Sequence, residues 1–234
     1  MKSLLAVFYE SHKANLKAEF LMGRLNWHGI SWRAFGYGFR GFGEKIRAVY
    51  QAVCDHADKD YVLFLDSRDT LPLADNDVII ERFESLGVPW VFNAEVAVWP
   101  PHAVRQERYG ERLSPWWFLN SGMHMGSTQY MRETLERWGA ADVPYRVDDQ
   151  AWYADHFLDE PDVVHLDRGC KLFQTLMGWW DDAKGVPNDQ FTAGDGRLHN
   201  NVMDSDPLLL HWNGGGDIQK AWEVIRADRP KENP

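Results

Sequence analysis

The stretch Tyr61-Val62-Leu63-Phe64-Leu65-Asp66-Ser67-Arg68-Asp69 decides how the chain is read. An apolar run ends abruptly in two carboxylates three positions apart, which predicts a buried strand over 61–65 with both acids at the edge of a sheet. Such a pair can share one hard divalent cation. The same residues also suit a plain turn after a strand, because Asp and Ser bond to their own backbone in turns. The remainder of the sequence has to decide between the two.

Working outward, apolar residues repeat at helical spacing over 15–27 (Leu16, Phe20, Leu21, Leu25) and 44–57 (Ile46, Val49, Tyr50, Val53). The first ten residues contain a strand, and a flexible aromatic loop, Gly36-Tyr37-Gly38-Phe39-Arg40-Gly41-Phe42-Gly43, leads into the second helix. After 61–65 come a helix near 76–86 and a strand at 89–92. The middle is less regular, with a loop from Trp99-Pro100-Pro101-His102 and an apolar run, Trp116 to Leu119, ahead of Asn120-Ser121-Gly122. Ser127 is placed to cap a helix over 128–138, and Asp148-Asp149-Gln150 opens a helical stretch over 151–158. Short apolar segments at 163–166 and 208–210, a closing helix near 217–227 and a frayed tail from Arg229 to Pro234 complete the pattern. The alternation predicts a single α/β domain over 1–228, with helices on both faces of the sheet. Ligands of such sheets collect beyond the carboxyl ends of the strands, where Asp66 and Asp69 fall.

A formal charge of -10 disfavours a protein held to nucleic acid by broad phosphate neutralisation. With only Cys54 and Cys170, no disulfide framework or zinc site is implied, and a reducing, cytoplasmic setting is the simplest expectation. The apolar start is too short for a signal peptide, and no window approaches the roughly 18 apolar residues of a membrane helix, so no membrane partner is expected. Twelve Trp are unusual for packing alone. Trp27, Trp32, Trp99, Trp116, Trp117, Trp179, Trp180 and Trp212 sit near polar motifs, as rings do on sugar-binding surfaces, although most can be assigned to the core.

His211 also ends an apolar segment, and the Asn213-Gly214-Gly215-Gly216 that follows lets backbone approach a ligand closely. Two carboxylates and an imidazole suit manganese, which takes oxygen and nitrogen donors, with magnesium as the alternative. Asp148 and Asp149 are either caps at a helix N-terminus or cleft residues that orient a sugar or take a proton. Adjacent helical residues diverge by about 100°, so the two acids are expected to have different jobs. Glu95 follows a strand and could reach an acceptor or pair with an arginine. Lys45 could hold phosphate or sugar oxygens, or be a solvated helix residue.

The ordered motifs resemble the glycosyltransferase domain of the procollagen lysyl hydroxylases and procollagen galactosyltransferase-like proteins. The matching pieces are Gly41-Phe42-Gly43-Glu44-Lys45-Ile46, Leu63 to Asp69, Val91-Phe92-Asn93-Ala94-Glu95 with Trp99-Pro100, and Phe118-Leu119-Asn120-Ser121-Gly122. They continue with Asp148-Asp149-Gln150, Leu166-Asp167, Phe173-Gln174 and His211-Trp212-Asn213-Gly214, spanning roughly 36–216. The resemblance implies a GT-A-like fold on a mixed, mostly parallel sheet, and transfer of glucose or galactose from a UDP-sugar to a hydroxyl acceptor. It implies that Asp66, Asp69 and His211 hold manganese, that Asp148 and Asp149 line the sugar pocket as catalytic residues, and that Tyr9, Lys45, Arg68, Asn120, Ser121, Asn213 and Gly214 contact the nucleotide sugar. Glu95 and Trp99 are the expected acceptor contacts.

The chain departs from the family pattern at Val98, where the family has Cys, at Trp212, where it has Gly, and at Arg68, where an aromatic residue often stacks on uracil. A guanidinium can also stack on a base. With no hydroxylase domain or secretory signal in the sequence, collagen is not the expected acceptor. A saccharide, a small molecule, a protein side chain or a hydroxylated nucleobase are the candidates, the last requiring a basic rim from Arg33, Arg40, Arg105, Arg108 and Arg112. The alternatives in other classes are a non-catalytic carbohydrate-binding module and a metal-dependent hydrolase on the same fold.

Overall fold

The computed structural model describes residues 2–12, 15–36, 38–177, 180–181, 186–187, 189–214 and 216–227, so the frayed tail and Trp179 lie outside the described residues. In chain order the first half contains β1 (Leu4–Tyr9), α1 (Leu16–Trp27), β2 (Ser31–Phe35), α2 (Gly43–Asp55), β3 (Tyr61–Leu65), β4 (Thr70–Pro72), α3 (Asn76–Ser85), β5 (Trp90–Glu95) and α4 (Ala103–Arg108). The second half contains β6 (Phe118–Ser127), α5 (Thr128–Arg137), α6 (Asp149–Asp159), β7 (His165–Asp167) and β8 (Phe173–Thr175). The short strands β9 (Trp180–Asp181), β10 (Val186–Pro187), β11 (Phe191–Gly194) and β12 (Arg197–Asn200) precede β13 (Leu209–His211) and α7 (Ile218–Ile225).

Six strands form the central sheet in the order β2-β1-β3-β6-β5-β7. Every neighbouring pair is parallel except those made by β6, which runs against both β3 and β5. The sheet is apolar on both sides because both sides are covered. Val62 and Phe64 of β3 face Ile46 and Val49 of α2, Met131 of α5 and Phe157 of α6, whereas Leu63 and Leu65 face Leu21 and Leu25 of α1 and Ile79 of α3. The chain is therefore a mixed α/β fold with a mostly parallel sheet flanked by helices.

Two features bring distant sequence to the end of β3. The reversed direction of β6 delivers Asn120, Ser121 and Gly122 to the carboxyl ends of β3 and β5, and Asp66 N–H donates to Gly122 O at 2.8 Å. A second sheet, β4-β13-β8, starts directly after Asp69. Its antiparallel pairing sets His211 opposite Thr70, and Trp212 N–H donates to Asp69 O at 2.8 Å. His211 thus reaches Asp69 through a ladder rather than a loop.

Some local expectations are corrected. Leu16 is 78% exposed, not core-facing, and Asn15 caps α1 by accepting the Lys17 N–H at 3.0 Å. Ser127 occupies the cap position of α5 but its side chain makes no capping bond. The loop from Trp99 contains α4. Among the tryptophans near polar motifs, Trp116 and Trp212 are buried, so neither forms a sugar-binding surface, whereas Trp27 and Trp99 are exposed.

Candidate active site

Asp66, Asp69 and His211 each present a ligand atom within 4.8 Å of the others. His211 Nε2 lies 3.4 Å from Asp69 Oδ1 and 3.7 Å from Asp66 Oδ2. The other ring nitrogen, Nδ1, is 2.9 Å from Asn120 Oδ1, an oxygen that also accepts the Gly122 N–H at 3.0 Å. Nδ1 is thereby fixed as the donor, and Nε2 faces the two carboxylates, the tautomer a metal-binding histidine needs. A side chain at Gly122 would close this space, since a Cβ there would collide with the His211 ring and stand 2.8 Å from Asp66 Oδ2. The donor set and the room around it fit a divalent cation.

Protonation follows the charges. Burial pushes the Asp66 carboxyl above its ordinary range despite the nearby Lys45 ammonium. Burial acts in the same direction on Asp69, but His211 outweighs it and holds that carboxyl below the ordinary range. Burial would depress the His211 imidazole, yet Asp69 raises it. Two acids and a base compete for few protons here, which is the electrostatic setting a bound cation relieves.

Lys45 sits in the first turn of α2, at the end of the glycine-rich loop. Its Nζ lies 2.6 Å from Asp66 Oδ1 and 2.8 Å from Asp149 Oδ2. Burial would lower its pKa, but Asp149 and Asp66 raise it, so the side chain is a charged bridge rather than a solvated helix residue. The loop reaches this position because its backbone packs directly on the segment before α6. Gly43 N–H donates to Tyr145 O at 3.0 Å, and a Cβ at Gly41 or Gly43 would strike the backbone of Tyr145 or Pro144.

The two acids at the start of α6 divide as their directions require. Asp148 is the N-cap, its Oδ1 accepting the Ala151 N–H at 2.8 Å, while Oδ2 has no hydrogen-bond partner among the described residues. Asp149 points into the cleft, bonded to Lys45 and to Ser121 Oγ at 2.8 Å. Gln150, a residue without an assigned role in the sequence reading, is the hub behind them. It accepts from Asn120 Nδ2 and Ser121 N–H, each at 3.3 Å, and donates to Glu95 and to Trp99 O. Glu95 is buried and also accepts from Asn213 Nδ2 at 2.8 Å. Burial lifts its carboxyl to about 7 against the pull of these amide donors.

Two cavities meet at the carboxylates. The larger, about 590 Å³, is lined by Glu95, Trp99, Asn120, Asp148, Asp149 and Asn213, with Ser121 and Gly214 at its wall. The smaller, about 310 Å³, is lined by Tyr9, Phe39 and Arg68. Phe42, Lys45, Asp66 and Asp69 border both. Tyr9 donates to Glu44 at 2.5 Å, and burial lifts its hydroxyl to about 12. Arg68 is anchored to the buried Glu10 at 2.7 Å, and Glu10 also accepts from Ser67 Oγ at 2.9 Å. Every residue expected to hold the metal, the nucleotide sugar or the acceptor therefore borders one of these two spaces, whereas Arg33, Arg40, Arg105, Arg108 and Arg112 line neither. Gln150, Gly122 and the Phe39–Phe42 pair add to them, and Glu10 anchors Arg68 from behind; Gly122 and Gln150 are visible in the sequence as members of motifs and Phe39 and Phe42 by their place in a glycine-rich loop, whereas Glu10 carries no such signal.

Over residues 7–221 the chain matches the family model of the PLOD GT (glycosyltransferase) domain. It is 29% identical over 197 residues to procollagen-lysine,2-oxoglutarate 5-dioxygenase 1 of Homo sapiens, covering 82% of this chain and 26% of that protein. The identity to procollagen-lysine,2-oxoglutarate 5-dioxygenase 2 of Homo sapiens is 27% over 197 residues, covering 80% and 25%. The chain thus spans about a quarter of the length of the curated relatives it matches. A solved glycosyltransferase involved in the glycosylation of the major capsid of PBCV-1 shares the fold at a TM-score of 0.52 and 11% identity, covering 95% of this chain and 98% of that one. The chain belongs to the PLOD GT domain family and is a glycosyltransferase.

Proposed function

We propose that the protein moves a hexose, glucose or galactose, from a UDP-sugar to a hydroxyl acceptor, with a divalent cation, manganese by preference, held by Asp66, Asp69 and His211. The observation that carries this reading is the convergence of those three side chains on the border of two adjoining cavities, one the size of a base and ribose and one large enough for a sugar and its acceptor. When bound, the cation supplies Lewis-acid stabilisation of the diphosphate leaving group.

The chain's own residues do the rest. Tyr9, Phe39, Phe42 and Arg68 receive the nucleoside, and Asn213 and Gly214 approach the diphosphate; Gly214 adopts a positive φ of 86°, and a Cβ there would stand 2.9 Å from Met177 Sδ. Asp149, fixed by Lys45 and Ser121, holds hydroxyls of the donor sugar in one orientation. Oδ2 of Asp148, which has no hydrogen-bond partner among the described residues, takes the proton of the attacking acceptor hydroxyl. Glu95, titrating near neutral pH, and Trp99, 59% exposed at the mouth, contact the acceptor.

A nucleic-acid acceptor is disfavoured, because three of the five arginines that a basic rim needs, Arg40, Arg105 and Arg108, are each matched by a carboxylate, Glu44, Asp155 and Asp159. We place the enzyme in the cytoplasm, on the free thiols of Cys54 and Cys170. Among the described residues no helix is long and apolar enough to cross a membrane.

Incubation with UDP-glucose and with UDP-galactose, each with manganese, tests the proposal through release of UDP. Consumption of one donor, abolished by Asp66→Ala, is expected; if neither donor is consumed or bound, the proposal is wrong.

A further inference from the structure

The turn that follows β7 carries two cations that the transfer cleft does not use. Buried Asp167 accepts the backbone N–H groups of Lys171 at 3.0 Å, Leu172 at 2.7 Å and Phe173 at 2.9 Å. Arg82 clamps the same turn by donating to Lys171 O at 2.5 Å and to Asp206 O at 3.1 Å. The turn is therefore held in one conformation before any ligand arrives, which lowers the cost of binding.

Arg168 on this turn is half-buried. Its guanidinium lies 3.7 Å from the centroid of the Trp117 ring, and its Nε donates to Trp117 O at 3.3 Å. No carboxylate pairs with it among the described residues, and burial lowers its pKa. Lys171 is exposed and its ammonium likewise makes no ion pair among the described residues. The contrast is local, since Arg105 and Arg108 on the neighbouring α4 are each matched by an aspartate. A half-buried charge ordinarily has a counter-ion.

Both cations line a cavity of about 680 Å³, together with Arg108, His165, an apolar wall that includes Tyr109 and Phe157, and Asp167, whose two carboxylate oxygens are both taken up by backbone N–H groups. None of Asp66, Asp69 and His211 borders it. We propose that this cavity is a second ligand site that binds a small organic anion, a phosphate or carboxylate carried on an apolar body, with Arg168 and Lys171 as its charge contacts. The stacked guanidinium presents its remaining N–H groups in a fixed plane suited to two anionic oxygens. The apolar wall takes the body of the ligand.

The test is thermal unfolding of the full chain in buffer freed of divalent cations by chelating resin, with phenyl phosphate and, separately, benzoate as probes. Without divalent cation the transfer cleft lacks its proposed diphosphate anchor, and the variants assign the response to one cavity or the other. Either probe is expected to raise Tm with the logarithmic concentration dependence of one-site binding, by about 3 °C at ten times its Kd, and the comparison of the two tells phosphate from carboxylate. Lys171→Gln and Arg168→Gln are each expected to raise the Kd fitted from the shifts about tenfold, whereas Asp66→Ala leaves it unchanged. Because Lys171 is exposed, its substitution does not endanger the fold. The proposal is overturned if neither probe raises Tm with one-site concentration dependence, if Lys171→Gln responds like the parent protein, or if Asp66→Ala removes the response.

Discussion

Lys45 and Asp149 form a buried ion pair, with Nζ 2.8 Å from Oδ2. The same ammonium lies 2.6 Å from Asp66 Oδ1, so one cation joins the start of α6 to the end of β3. Fold and site share this bridge, and its loss acts on both.

Replacing Lys45 with Met leaves two carboxylates facing each other without their counter-ion. Removing one partner of a buried pair costs about 3–5 kcal/mol. Denaturant unfolding is expected to show a loss of about 3 kcal/mol, with Lys45→Arg losing less. An unchanged midpoint would mean that the bridge is absent in solution.

Gly122→Ala acts on the cation site rather than on the core. The added Cβ collides with the His211 ring, so the imidazole must move away from Asp66 and Asp69. Manganese affinity, read by paramagnetic resonance or calorimetry, is expected to fall at least tenfold, the order seen when the groups that orient metal ligands are disturbed.

Glu95 gives a pH signature. Its folded-state pKa of about 7 lies above its ordinary value of 4.5, so the protonated carboxyl is favoured by folding. Its contribution is fully present below pH 4.5 and is lost as pH rises through about 7. The cation-free protein is expected to lose about 3 kcal/mol from this group across that window. Glu95→Gln cannot titrate, so the difference between the stability curves of the two proteins should slope over this interval and flatten above it. Parallel curves would show that the carboxyl is not raised.

Arg68→Ala probes the smaller cavity. Losing a charge-assisted contact of about 1.4 kcal/mol corresponds to a tenfold weaker Kd for UDP. Manganese affinity is expected to stay within about twofold, because Asp66 and Asp69 remain tied by their own backbone bonds to Gly122 and Trp212. Loss of both affinities together would show that Arg68 and Glu10 hold the metal turn rather than the base.

Much of this was legible in the sequence, for physical reasons that also explain what was not. Strands β1, β3 and β5 are buried on both sides and read as apolar runs. Strand β6 does not, because Asn120, Ser121, Gly122, His124 and Gly126 break the pattern with polar and small residues. Their strand conformation is imposed by pairing on both sides, a tertiary effect that local propensity does not carry. Strand β2 lies at the sheet edge with Ser31 and Arg33 exposed, and β4 and β8 are three residues each. The three metal-type ligands were visible as strand-end residues. The role of Gln150 was not, since it lies in four hydrogen bonds to residues that are distant in sequence.

Calorimetric titration of UDP, with and without manganese, tests most directly whether Asp66, Asp69 and His211 hold a cation that in turn holds the donor diphosphate. UDP is expected to bind at least tenfold more tightly with manganese, and Asp69→Asn is expected to remove that difference while leaving the weak cation-free binding in place. Equal affinity with and without manganese, or a manganese effect that survives Asp69→Asn, would contradict it.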